Sequence, residues 1–281
     1  MKKILLISLL FSLMACSQLS RAPAAFSAKA TKHVVFDIDW TITSEVDASL
    51  KGKRIIEVEG KKYFVHDGLE DFIENLLSKK NIKISFFSGG SKSRNHDLLK
   101  KIKIEDGRSL EDVAYKILNR DDLTIVEGSK PTDKFVQRYK KDLRKISSDL
   151  DNLIMFDDAE HFVLSTAQEE HVLVTGKGFH HFDSFNDAKV ATGDYVPRTY
   201  AEWSFARKKL YILNGAFENA LENSELNDLS FSETIKAQEQ YLNLAGGEWN
   251  DYSQKMLNKL VQNKTVESAG CIGLMAPFLK I

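Results

Sequence analysis

The stretch Val34-Val35-Phe36-Asp37-Ile38-Asp39-Trp40-Thr41 decides the reading of this sequence. Two β-branched residues and an aromatic one form a buried-strand run, which breaks off at two carboxylates one residue apart. The same pattern recurs downstream. Residues 82–87 are apolar-rich and end in Ser88-Gly89-Gly90, and residues 153–156 end in Asp157-Asp158. In an open α/β sheet, ligands bind beyond the carboxyl ends of the strands, so these three termini are expected to meet at one crevice. Carboxylates gathered there repel one another unless a cation lies between them. A hard divalent ion with oxygen ligands fits, Mg²⁺ by preference, because such sites use few carboxylates and leave positions for water and phosphate.

Around these runs, short apolar segments alternate with helical spacing, the pattern of an α/β fold with a largely parallel sheet. Residues 54–59 and 62–65, separated near Gly60, read as a hairpin. Residues 67–77 carry helical spacing at Leu69, Phe72, Ile73, Leu76 and Leu77. Short helices are expected around 98–102 and 110–118, a strand over 123–126, a helix opened by Pro131 and running through Tyr139 and Leu143, and a last strand over 171–175. Beyond Tyr195, apolar residues from Tyr200 through Trp203, Ala206, Leu210, Leu213 and Phe217 to Leu221 recur at steps of three and four, one face of a long helix. Helices around 235–242 and 249–261 complete a helical C-terminal appendage, whose aromatics are read as packing against the sheet domain.

The chain has 281 residues, 43% apolar and 28% charged, enough for a sizeable core. Its 39 basic and 40 acidic side chains leave a net charge of −1, so no basic field marks nucleic acid as a main partner. Two cysteines, Cys16 and Cys271, make neither a disulfide framework nor a four-thiolate zinc site. Lys2 and Lys3 precede a mainly apolar run from Ile4 to Met14, which is secretory-signal architecture and too short for a span of about 20 residues. Leu13-Met14-Ala15-Cys16 resembles a bacterial lipobox, which implies lipid on Cys16 and anchoring to the membrane of the cell envelope. Ser17 after the Cys resembles the sorting context for the outer membrane, facing the periplasm in a Gram-negative source. The organisation expected is a signal peptide over 1–15, a Ser- and Ala-rich tether over 16–31, a sheet domain over 32–195 and the helical region over 196–281.

Residues 34–41 resemble motif I of the haloacid dehalogenase (HAD) superfamily of phosphatases, Ile84 to Ser88 its motif II and Met155-Phe156-Asp157-Asp158 its motif IV, in the required order. The resemblance implies a HAD-like Rossmannoid sheet and Mg²⁺-dependent phosphomonoester hydrolysis through an aspartyl-phosphate. Asp37 would be the nucleophile and Asp39 the general acid and base. Ser88 and Gly89 would bind phosphate, and Asp37, Asp39, Asp157 and Asp158 would serve the metal. A cation offsetting phosphoryl charge is expected from a lysine on the helix before motif IV, where Lys130, Lys134, Lys140, Lys141 and Lys145 compete. On a solvated helix face such a lysine would matter to rate more than to stability. A narrower similarity, to the phosphatases of the RNA polymerase II C-terminal domain, rests on His66-Asp67-Gly68-Leu69-Glu70-Asp71-Phe72, Tyr139-Lys140-Lys141-Asp142-Leu143 and Ser148-Asp149-Leu150. It points to Lys141. The chain departs from that group in lacking proline before Gly68, in carrying Trp40, and in having Ser88 in place of Thr, and the group's protein substrate is not carried over.

Trp40 has two readings, a stacking wall for an aromatic substrate or packing beneath the flap. His161, His180 and His181 lack metal-ligand spacing and read as structural. Residues 43–65 are too few for a full cap domain and imply a hairpin flap, which leaves room for a large phosphorylated substrate. Three alternatives to a general phosphomonoesterase stand beside it: a phosphatidate-type lipid phosphatase, since Asp37-Ile38-Asp39 with Thr41-Ile42-Thr43 also resembles the lipin-type motif; a nucleotidase or polynucleotide end phosphatase; and a non-catalytic envelope lipoprotein that binds a partner.

Overall fold

The structure is a computed structural model that describes residues 30–46, 52–227, 229–242 and 250–260. The signal segment, most of the tether, Cys16 and Cys271 lie outside the described residues. The strands are β1 (Lys32–Phe36), β2 (Thr43–Val46), β3 (Ile55–Val58), β4 (Lys61–Val65), β5 (Ile82–Phe87), β6 (Lys116–Leu118), β7 (Thr124–Ile125), β8 (Tyr139–Lys140), β9 (Leu153–Asp157) and β10 (Val172–Val174). Five of them form a parallel sheet in the order β10-β9-β1-β5-β6. Both faces of a parallel sheet are covered, and every residue of β1 is buried accordingly. Its register sets Phe36 beside Phe86 and Phe156, with ring centroids 6.2 and 5.3 Å apart.

Alternation along β1 divides the core. Val35 faces Phe87, Leu143, Leu153 and Met155 on one side. Val34 and Phe36 face the other, where helices α1 (Leu69–Ser78) and α2 (Lys92–Lys101) pack together with the long helix α3 (Tyr200–Asn227). The Phe72 ring lies 6.0 Å from that of Phe217, and Asn75 Nδ2 donates to Asn214 Oδ1 at 2.6 Å and to Glu218 Oε1 at 2.8 Å. Gly68, at φ 85°, lets α1 begin against Tyr211, whose ring would lie 2.9 Å from a Cβ there. The C-terminal helices thus share one core with the sheet, reaching Phe231 and Met256. Along α3 the expected face is buried from Leu210 to Phe217, whereas Tyr200 is exposed. The helix expected over 235–242 divides into Phe231–Lys236 and Glu239–Leu242, with Gln238 between them donating to the Ala216 carbonyl at 2.9 Å.

Three expected elements are corrected. Helix forms only over Leu110–Val113, and residues 116–118 extend as β6 because the open edge of β5 offers a ladder, entered where Tyr115 N–H donates to Ile84 O at 2.6 Å. The strand near 123–126 pairs with β8 instead of the main sheet. The long helix from Pro131 is confined to Phe135–Arg138 and is followed by β8 and a 3₁₀ turn at Leu143–Lys145. The flap carries one strand more than a hairpin, with β2, β4 and β3 forming an antiparallel sheet in the order β2-β4-β3.

Gly215, inside α3, is where the helix over 251–260 crosses, and a Cβ there would overlap the Met256 carbonyl. Alanine is the better helix former by about 1 kcal/mol. Gly215→Ala is nevertheless expected to cost about 1–3 kcal/mol through overpacking, measured as a lowered thermal midpoint. A raised midpoint would show that the two helices do not meet there.

Candidate active site

Because β1, β5 and β9 run parallel in register, their carboxyl ends open onto one crevice. Asp37 follows β1, its N–H donating to Phe156 O at 2.8 Å, and is 5% exposed. Asp157 ends β9 at 1% exposure. Between them lies Lys141, fully buried, whose Nζ donates to Asp37 Oδ1 at 2.6 Å and Asp157 Oδ2 at 2.7 Å. Of the five lysines considered, Lys141 alone makes this contact among the described residues. Lys140 donates to the His161 carbonyl and Lys145 to that of Asp122. The lysine does not come from a helix, as expected, but from extended chain: Lys141 N–H donates to Phe162 O at 2.9 Å and Leu164 N–H to Lys141 O at 2.8 Å. This backbone pairing across to Val163 overrides the helical spacing of its neighbours.

Asp37, Asp157 and Asp158 each bring a carboxylate oxygen within 4.8 Å of the others. The Lys141 ammonium is shared by Asp37 and Asp157, and Lys209 and Lys141 both pull on Asp158, yet burial and mutual repulsion still outweigh these cations at the carboxyls. Burial works against charge on Lys141, but Asp157 and Asp37 overcome it and hold the ammonium protonated. Burial, then Asp157, Asp39 and Asp158, push Asp37 well above the ordinary carboxylate range against the pull of Lys141. Asp158 is pushed up to about 6 by burial and then by the charge of Asp157. Lys141 donates to both partners and stays charged, so the shortage of positive charge falls on the carboxyls. Asp37 Oδ2 has no hydrogen-bond partner among the described residues, and the residue lines an open cleft of about 550 Å³.

The carboxylate of Asp39, expected at the metal with the other three, lines the same cleft but is not within their group of approaching oxygens. Its Oδ1 takes the Arg94 guanidinium and its Oδ2 the Ser88 hydroxyl at 3.2 Å. Ser88 is fully buried and also accepts from Gly90 N–H at 3.1 Å, so in this structure its hydroxyl orients Asp39 where a phosphoryl contact was expected. Gly89 lines the cleft. Arg94 was not anticipated. A signal was present, since Lys92 and Arg94 occupy the first turn of α2 without an acid, where the helix dipole disfavours cations.

Trp40 sits between Asp39 and Thr41 with φ 62°, in the left-handed region, at a cost on the order of 1–3 kcal/mol for a bulky residue. Its N–H donates to Thr43 O at 2.6 Å, and its carbonyl accepts from Lys209 Nζ at 2.9 Å. One face of the indole lies against Gly178, where a Cβ would come within 2.6 Å, and the ring stacks on Tyr195 at 4.5 Å and 13°. Trp40 is thus packed by Tyr195 and Gly178 while it still lines the cleft. Beneath it, His66 Nδ1–H donates to Thr41 O at 2.9 Å, and burial holds this imidazole neutral, well below its usual range. His161 pairs with Glu169 and His181 with Asp183. Beyond Trp40 a second cleft of about 790 Å³ opens toward His180 and Tyr195, so Asp39 and Trp40 stand between two cavities.

Residues 32–189, more than half of the chain, match the family of NLI interacting factor-like phosphatases. No curated protein sequence matches the chain. Among solved structures, that of Fcp1, an essential RNA polymerase II CTD phosphatase, is similar at 14% identity and a TM-score of 0.44, covering 77% of this chain and 72% of that one. A structure of a variant of fission yeast RNA polymerase II CTD phosphatase Fcp1 bound to beryllium fluoride is similar at 16% identity and a TM-score of 0.38, covering 89% and 67%.

The burial of Lys141 overturns the expectation that its loss would leave stability almost unchanged. Removing the cation from two buried carboxylates should cost about 3–5 kcal/mol. Lys141→Met is expected to show that loss in denaturant unfolding at pH 7 and a smaller one at pH 5, where Asp37, deprived of the ammonium, takes up a proton. A loss below about 1 kcal/mol, the scale of an exposed pair, would place the lysine in solvent.

Proposed function

This chain belongs to the NLI interacting factor-like phosphatase family, and we propose that within it the chain is a Mg²⁺-dependent phosphomonoesterase working through an aspartyl-phosphate on Asp37. The observation that carries the reading is the buried Lys141 shared by Asp37 and Asp157, with a third carboxyl beside them displaced toward its protonated form. A site this short of positive charge, built from hard oxygen donors, suits a divalent cation held by Asp37, Asp157 and Asp158. When bound, Mg²⁺ would supply charge stabilisation to the phosphoryl oxygens.

The geometry supports the following chemistry for the chain's own groups. Asp37 Oδ2, the oxygen left free by Lys141, attacks phosphorus as the bond to the leaving oxygen breaks, and Asp39, having first taken a proton from solvent, gives it to the leaving oxygen. A water molecule then attacks phosphorus from the same cleft. Asp39 takes its proton, the bond to Asp37 breaks, and inorganic phosphate leaves. Lys141 neutralises charge on Asp37 that a phosphate dianion would otherwise meet. Arg94 and Arg120 line the cleft as further cations facing an anionic substrate.

Two open clefts that share Asp39 in their walls leave space around the leaving group, which supports a bulky phosphorylated substrate. The stacking of Trp40 on Tyr195 favours the packing reading of its indole over a wall for a nucleotide base. Location belongs to the same proposal: the lipobox-like Leu13-Met14-Ala15-Cys16 supports a lipid anchor on Cys16 in the cell envelope, as a reading of sequence alone.

Asp37→Asn removes the attacking charge and relieves a carboxylate that burial disfavours. Turnover should fall by about 10³-fold or more while thermal stability at pH 7 holds or rises. Turnover close to that of the parent would refute the nucleophile.

Proton linkage tests the metal site. A folded-state pKa raised above the ordinary 3.8 means that the native state binds more protons than the unfolded chain between there and about 6. Metal-free stability should therefore fall as pH rises through that window. Protons and metal compete for the same oxygens, so Mg²⁺ should raise the thermal midpoint more at pH 7 than at pH 5. An equal shift at both pH values would point to binding elsewhere.

A further inference from the structure

Lys209 is a cation buried to 3% exposure on α3, among Phe205, Leu210 and Leu213. Among the described residues it forms no ion pair, and its hydrogen bond goes to the Trp40 carbonyl at 2.9 Å. The Asp158 carboxylate acts on it electrostatically without a direct ion pair, yet burying an ammonium with one hydrogen bond is costly, and an apolar side chain would suit that helix face better. The contact falls on a sensitive place. Trp40 joins Asp39 to the rest of the turn, and rotation about its N–Cα bond swings the peptide plane it shares with Asp39. Its left-handed backbone is held at three points: by Thr43 on the N–H, by Lys209 on the carbonyl, and by Gly178 and Tyr195 around the indole. Tyr195 and Lys209 both lie beyond residue 189, where the family match ends.

We propose that Lys209 is a positioning residue of the active site, holding the Asp39–Trp40 turn in its left-handed form so that the Asp39 carboxylate faces the leaving group. The long C-terminal helix is then part of the catalytic unit. The inference rests on the reading of Asp39 as general acid, and that reading supplies a discriminating measurement. Protonation matters greatly for an alkoxide leaving group and little for p-nitrophenolate.

The full chain with Mg²⁺ is assayed on β-glycerophosphate and p-nitrophenyl phosphate. Lys209→Met should lower kcat/KM on the alkyl ester at least about tenfold more than on the aryl ester, as should Asp39→Asn. Lys209→Arg, which keeps charge and donors, should restore the alkyl-to-aryl ratio to within about threefold of the parent. Equal losses on both esters in Lys209→Met, with Asp39→Asn still discriminating, would reduce Lys209 to a structural residue and overturn the inference. An Asp39→Asn variant that treats the two esters alike would overturn the acid reading and this inference with it. Should Lys209→Met fail to fold, Lys209→Gln, which is too short to reach the carbonyl, is measured in its place against the same outcomes.

Discussion

The ammonium of Lys141 between Asp37 and Asp157 is the contact around which the rest of the structure is arranged. A buried ion pair is weak evidence for stability, because well-packed apolar residues of similar volume often do as well or better. Its upkeep is visible all around it. β7 and β8 pair to keep the chain extended up to Lys141, and the bridge to Val163 carries it past β9. Buried Gln168 then accepts from Leu143 N–H at 2.9 Å and donates to Asp142 at 2.8 Å, tying down the chain just after the lysine. Three local structures serve one side chain, and the helix that residues 131–143 would otherwise form is given up to that end.

That trade explains which parts of the molecule were legible in sequence. β1, β5 and β9 are contiguous buried runs with charge or glycine at their ends, so their positions and the crevice beyond them could be read from composition along the chain. Lys141 was reachable through resemblance alone, since five lysines crowd the segment and spacing does not separate them. Its backbone was not reachable, because Phe135, Tyr139 and Leu143 have helical spacing while the long-range partners of Lys140 and Lys141, Thr124 and Val163, are invisible to a local pattern. β6 has three residues and no period of its own; only the edge of β5 makes it a strand. Arg94 and Lys209 were missed for a shared reason: a cation on a helix is ordinarily solvated. Each nevertheless broke a rule that could have exposed it, Arg94 by standing at a positive helix end and Lys209 by lying four residues from both Phe205 and Leu213, on the buried face.

The two carboxylates of the opening motif end in different surroundings although one residue separates them. Asp37 continues β1 into the closed end of the crevice, where burial pushes its carboxyl up and Lys141 opposes the push. Asp39 lies past the strand, held by Arg94 and Ser88 at the mouth of the cleft. Chemically identical groups given unlike environments are what acid–base and nucleophilic duties require of a pair. The divergence is produced by backbone: chain left extended beyond Phe36 would send Asp37 and Asp39 to the same side of the sheet. The bend at Ile38 ends the extension, and the left-handed Trp40 just after Asp39 is held by Thr43 within the turn and by Tyr195 with Lys209 from far along the chain. The turn that follows this three-residue motif is thus held in part by side chains more than 150 residues away, and a domain defined by the motifs alone would omit them.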